Sequence, residues 1–197
     1  MKHDDSSAEL LAGSAEPLRM TACHAAILKM LRSYSVLGYG LSAIEVQKLA
    51  YFLQEAGEVL NLPFEKHAYG PYSDTLRHVL NRMEGHFIRG LGDGVSEAEI
   101  EPVPEAMAEA EAFVEARGHE ALAERVRHVG DLIEGFQSPY GMELLATVHW
   151  VAKYEGAASQ DQAIAAVRAW NERKRALMAP EHVAAAWNRL EQSGWLN

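Results

Sequence analysis

Glu97, Glu99 and Glu101 alternate along the chain, separated by Ala98 and Ile100. On a strand, carboxylates at that spacing share one face and stand about 6.6–6.8 Å apart. That step is close to the one between phosphates along an extended nucleic-acid strand. Such a row can face the cations of a nucleic-acid groove. It can equally be the wet face of a hairpin, acidic for solubility and to discourage edge pairing. The row belongs to a larger excess. From Asp93 to Glu134 there are twelve acidic residues against Arg117, Arg125 and Arg127, in a chain whose formal net charge is −10. The rest of the chain is therefore close to neutral. Glu105–Glu109 and Glu111–Glu115 are like-charged pairs four apart, a small cost on a helix. An acidic binding face accounts for that cost; a neutral surface does not. The net charge argues against a phosphate-binding surface over the whole molecule.

Aromatic residues beside Gly and Pro form a second group. Tyr69-Gly70-Pro71-Tyr72 reads as a tight corner presenting two phenols, and Pro139-Tyr140 repeats the Pro-Tyr pair. His86, Phe87 and Phe136 also lie in or beside such loops. Core packing is the commoner use of a loop aromatic, and partner binding is the alternative. Nothing else carries recognisable chemistry. The nine histidines make no His-Glu-x-x-His pair and no Cys/His metal spacing, so no metal is expected. His149 reads as a hydrogen-bonded core residue. Gly90-x-Gly92-x-Gly94 lacks the strand–loop–helix context and the Lys-Ser/Thr of a phosphate loop, and reads as a hairpin turn. Cys23 has no nearby base and reads as structural. No Gly-x-Ser-x-Gly elbow is present. These residues predict neither an enzyme nor a cofactor.

The elements that position them follow from periodicity. Ser42 and Glu45 form a capping box before an apolar run containing Ile44, Leu49, Phe52, Leu53 and Ala56, which predicts a helix. Phe64 to Tyr69 suggests a short extended piece, broken by Gly70-Pro71. Ser73 caps the next helix, with Leu76, Val79, Leu80 and Met83 on one face. His86–Leu91 and Ala98–Val103 predict a hairpin around Gly92-Asp93-Gly94. Helices are predicted over roughly Leu18–Tyr34, from Pro104 with Ala106, Met107 and Ala110 inside, and through Leu122, Val126, Val129 and Ile133. Gly135–Gly141 reads as a loop. Met142–Tyr154, apolar nearly all round, reads as the central buried helix. Two more amphipathic helices carry Ala163–Trp170 and Val183–Leu190. The expected fold is mainly α, a compact helical domain with one small β-hairpin.

The chain has 197 residues and is 48% hydrophobic, which suits one domain with a sizeable core. Residues 1–17 read as a flexible leader and 18–197 as the domain. A lone Cys23 fits a reducing, cytoplasmic setting. No run is long and apolar enough to span a bilayer, and no signal peptide is evident, so no membrane contact is expected.

Several separated blocks resemble a known family. Gln47-Lys48-Leu49-Ala50-Tyr51-Phe52-Leu53-Gln54 followed by Tyr69-Gly70-Pro71-Tyr72 resembles the Panacea (SocA-like) antitoxin domain. Met83-Glu84-Gly85-His86, Ile133-Glu134-Gly135-Phe136, Pro139 to Trp150 and Gly194-Trp195-Leu196 are similar to the C-terminal, toxin-neutralising domain of the DarG antitoxins. The resemblance covers about Met20 to Asn197. It implies a non-enzymatic antitoxin module that binds and inhibits a DarT-like, DNA-modifying ADP-ribosyltransferase by acidic mimicry of single-stranded DNA. It implies no direct nucleic-acid contact by the module itself. The ADP-ribose-removing macrodomain of whole DarG has no counterpart here, so hydrolase activity is not carried over. The residues expected at the partner contact are Tyr69, Tyr72, Asp74, Glu84, His86, Asp93, Glu97, Glu99, Glu101 and Tyr140. Two other readings stay open: a winged-helix-like DNA-binding regulator, and an adaptor delivering a toxin to a protease. The acidic hairpin speaks against the first.

Overall fold

The computed structural model describes residues 18–34, 40–92, 98–118 and 120–196. The expected leader, Asp93, Glu97 and the centre of the Gly92-Asp93-Gly94 turn lie outside the described residues.

The fold is mainly helical, as expected, and is built around α6 (Pro139–Glu155). Ser138 caps α6 by accepting from the Gly141 amide, and Gly156 closes it in a left-handed conformation. Nearly every residue of α6 from Gly141 to His149 is buried, so neighbours must surround it. They are α2 (Ala43–Glu55), α7 (Gln160–Trp170), α9 (Pro180–Gln192) and a first hairpin, β1 (Glu65–His67) with β2 (Gly70–Tyr72). A second group packs behind α2: α1 (Ala22–Tyr34), α4 (Pro104–Ala116) and α5 (Glu120–Ile133).

The α2 helix ties these parts together. Its capping box is present, with the Ser42 side chain accepting from the Glu45 amide and the Glu45 carboxylate accepting from the Ser42 amide at 2.8 Å. The same carboxylate accepts from the Tyr34 hydroxyl at 2.6 Å, which joins α1 to α2. Two glutamines, seven positions apart, hold the chain that follows. Gln54 donates to the Leu62 carbonyl and accepts from its amide, both at 2.8 Å. Gln47 does the same with Ser73, both at 2.9 Å. Each amide thereby satisfies a backbone pair that would otherwise be unpaired inside the protein.

Four expectations change. Gly70-Pro71 does not break an extended piece; it lies in β2, which pairs antiparallel with β1 in the register Glu65↔Tyr72. The turn falls at Ala68–Tyr69, so there are two small hairpins among the described residues. The second is shorter than predicted. β3 (Ile88–Arg89) and β4 (Glu101–Pro102) pair for two residues each, because Ile100 bonds instead to Leu41 and Pro102 has no amide to donate. Tyr140 is not in a loop. Ser138-Pro139 is a cap followed by a first helical residue, so Tyr140 sits in the first turn of α6. Phe87 is core, 4% exposed and packed on the His24 ring. A short helix, α8 (Glu172–Leu177), capped by Asn171, was not foreseen. The helix after Ser73 is α3 (Asp74–Met83), capped as expected.

Candidate functional site

A cleft of about 410 Å³ opens between α2, the first hairpin and α3. Its apolar wall is Ala43 and Ile44 from α2, Leu80 from α3, and Leu91. The lining also includes His67, Tyr69 and Tyr72, with Asp74 and Arg77 from α3 and Gln47 and Lys48 from α2. The volume falls in the range of small-ligand sites, as does the mixture of apolar wall and few polar groups.

The aromatic side is fixed from several directions. The His67 and Tyr72 rings lie 5.0 Å apart, tilted by 32°. The Arg173 guanidinium sits 4.4 Å from the centre of the Tyr69 ring, a cation–π contact. The turn carrying Tyr69 is held by the α7–α8 junction: Trp170 Nε1 donates to the His67 carbonyl at 2.9 Å and Asn171 Nδ2 to the Ala68 carbonyl at 3.1 Å. At the start of α3, Arg77 Nε donates to Asp74 Oδ1 at 2.8 Å. That bond, with the charges of Arg77 and His78, holds the Asp74 carboxyl below its ordinary value.

Beneath the hairpin lies a charge cluster in which Glu143, Lys174 and Lys48 are buried and Arg173 is partly exposed. Arg173 grips Glu143 with two hydrogen bonds, at 2.6 and 3.1 Å. Lys174 donates to the same carboxylate at 2.6 Å and to Thr147 Oγ1 at 3.1 Å. Burial works to raise the Glu143 carboxyl, and the bonds from Arg173 and Lys174 overcome it, leaving it below its ordinary value. Lys48, 1% exposed, donates to the Pro71 carbonyl at 2.6 Å. Its ammonium is pushed down to about 7, first by burial and then by Lys174, with Glu143 opposing.

Of the residues predicted from sequence, the cleft brings Tyr69, Tyr72 and Asp74 together. Glu84 is next to it: its carboxylate accepts from the amides of Gly90 and Leu91, at 3.1 and 3.2 Å, and so shapes the Leu91 edge. His86 is exposed in the turn after α3. Glu101 is paired with Arg89 at 3.1 Å, so its charge is answered. Glu99 is exposed, and its backbone packs against Gly90 and Gly40. Tyr140 belongs to other contacts, the Leu177 carbonyl at 3.1 Å and His182 Nδ1 at 2.8 Å. Sequence reasoning missed Gln47, Lys48, His67, Arg77 and the Glu143–Arg173–Lys174 cluster as site residues. The signal for three of them was available: Gln47, Lys48 and Glu143 are polar residues inside otherwise apolar helix runs. Among the described residues no group of three or more His, Cys, Asp or Glu side chains is arranged to hold a metal.

No protein-family model matches the chain. Three curated relatives do. A protein of Thermus aquaticus is 42% identical over 178 residues, 90% of this chain and 49% of its own length. Two from Mycobacterium bovis and Mycobacterium tuberculosis are 40% identical over 189 residues, 89% of this chain and 54% of theirs. All three are named DNA ADP-ribosyl glycohydrolase. The chain thus spans about half the length of these relatives.

Those names overturn the functional expectations drawn from the resemblance. The similar proteins are named for a hydrolytic enzyme and for DNA, not for an antitoxin domain. The placement among Panacea/DarG C-terminal antitoxin domains is corrected accordingly, as are the non-enzymatic role and the DarT-like toxin as partner. DNA mimicry and the absence of direct nucleic-acid contact go with them. The regulator and adaptor readings fit the names no better.

Proposed function

We propose that the chain takes part in the removal of ADP-ribose from DNA, and that the cleft between α2 and α3 holds the ADP-ribosylated strand. The observation that carries this reading is the chemistry gathered in the cleft. Tyr69, Tyr72 and His67 offer aromatic surface to a base, beside the exposed guanidinium of Arg77, in a chain of net charge −10. Base stacking on aromatics with cations for phosphate is the general way an unpaired nucleotide is held. The likeness to proteins named DNA ADP-ribosyl glycohydrolase supports the choice of ligand. Asp74, kept ionised by Arg77, is suited to accept a hydrogen bond from a sugar hydroxyl. Residues 18–197 act as one domain in this reading. Among the described residues no helix is long and apolar enough to cross a membrane, and the lone cysteine supports a cytoplasmic setting.

The test is binding of a labelled oligonucleotide, with and without ADP-ribose, followed by fluorescence anisotropy. The modified strand is expected to bind more tightly. Tyr72→Ala is expected to weaken it by about 1–3 kcal/mol, the usual worth of one stacked base, while Tyr140→Ala leaves it unchanged. Equal affinity for the two oligonucleotides, or no loss in a folded Tyr72→Ala, would remove the cleft from consideration.

A further inference from the structure

Glu143 has more counter-charge than it needs. Lys174, fully buried, donates to its carboxylate at 2.6 Å and matches its charge one for one. Arg173 adds a second cation, and its side chain is 38% exposed. Neutralising Glu143 therefore does not account for Arg173, but its geometry does. Glu143 takes the guanidinium by its edge, with Nη1 on Oε1 at 2.6 Å and Nη2 on Oε2 at 3.1 Å. A two-pronged grip of that kind fixes the orientation of the group as well as its position. The group so fixed lies over the Tyr69 ring, 4.4 Å from its centre. That ring lines the cleft and is 42% exposed, so its surroundings alone leave it room to turn. Trp170 and Asn171 bond to the carbonyls of His67 and Ala68, which holds the main chain of the turn and not the ring.

We propose that Arg173 is a positioning residue for the cleft: gripped by Glu143, it holds the Tyr69 ring ready to stack on a base, and does not itself touch the ligand. The proposal rests on the reading that the cleft holds the ADP-ribosylated strand. Arg173 is not among the residues lining the cleft, whereas Tyr69 is. A ring already fixed loses little freedom when a base stacks on it, and a ring free to turn must be ordered at that moment. The chain of contacts runs from Lys174 to Glu143, from Glu143 to Arg173 and from Arg173 to Tyr69, so α6 and α8 set the aromatic wall of a cleft to which neither contributes a lining residue.

A double-mutant cycle on the affinity for an ADP-ribosylated oligonucleotide, read by fluorescence anisotropy, tests this. Arg173→Met should weaken binding about three- to tenfold, the usual cost of ordering one side chain. The same change made in Tyr69→Ala should have no effect, because the ring through which Arg173 acts is gone. In Tyr69→Phe, which keeps a ring, the effect should return. Arg173→Lys keeps the charge and loses the planar fork, so it should weaken binding as Arg173→Met does. It is also the milder change, and serves if Arg173→Met does not fold. The salt dependence of affinity should be the same in wild type and Arg173→Met, whereas loss of a direct phosphate contact would lower its slope by about one. Arg175→Met, on the same helix and bonded to the Arg168 carbonyl, should leave affinity unchanged. A loss that persists in Tyr69→Ala, a lowered salt slope, or wild-type affinity in Arg173→Lys overturns the positioning role and leaves the proposed function standing. Failure of the ADP-ribosylated strand to bind the wild-type protein overturns both.

Discussion

At His149 burial and hydrogen bonding select one protonation state. The ring is 1% exposed, its Nδ1 lies 2.7 Å from the Tyr51 hydroxyl, and burial pushes it down to about 4. A neutral imidazole accepts from the phenol at Nδ1, whereas an imidazolium offers two donors and no acceptor. The consequence for stability has a definite sign. Above about pH 6.5 the ring is neutral in both folded and unfolded chains, and its full contribution is present. As the pH falls towards 4, the unfolded chain takes up a proton that the folded one refuses, and stability is lost across that window. Denaturant unfolding from pH 7 to pH 4.5 should therefore show the wild type losing about 2 kcal/mol more than His149→Gln. Parallel curves for the two proteins would show that the ring is not the source. This role was legible: a histidine in an all-apolar helix is most simply a hydrogen-bonded core residue. Lys48 was not. Its acceptor, the Pro71 carbonyl, lies 23 residues away in a hairpin that periodicity does not reveal.

The first hairpin is the element on which the cleft depends, and Gly70 is its tightest point. Gly70 has φ +89°, and a methyl there would stand 2.9 Å from Thr147 Oγ1. Gly85 also has a positive φ, +76°, but has open space around it. Gly70→Ala should therefore cost about 2–3 kcal/mol, against about 1 kcal/mol for Gly85→Ala, and only the first should weaken binding in the cleft. Thermal unfolding and anisotropy on the two variants check both halves; equal costs would mean that packing against α6 is slack. The helices were readable because their signals are local. The Ser42–Glu45 box and the Ser73 cap each lie within four residues of what they satisfy. The hairpin was not, because β1 is fully exposed, with no alternation to read, and β2 contains Gly and Pro, which argue for a break. The site was half visible for the same reason. Tyr69, Tyr72 and Asp74 are adjacent in sequence, whereas Arg173 and Lys174 reach the site from a helix too short to announce itself.

Over the whole molecule, charge and shape are divided between two regions. The exposed carboxylates Glu105, Glu109, Glu111 and Glu115 lie on α4, which packs on α1, while the aromatic cleft belongs to α2, α3 and the first hairpin. A polyanionic ligand is repelled by the first region and so is steered away from it. The anchoring of the Tyr69 turn has another outcome, which concerns time rather than position. The residues lining the cleft are all present once the chain reaches Leu91, yet the bonds from Trp170 and Asn171 to that turn span 103 residues. Contacts of such long sequence separation form late, because the intervening chain must be ordered first. Refolding should therefore proceed in an order, helices early and the cleft last, with ligand binding lagging behind the return of helical circular dichroism in stopped flow. Simultaneous recovery of both signals would show that the hairpin closes without its distant anchor. On the ribosome the same order means that a nascent chain carries the whole cleft sequence well before it carries a cleft.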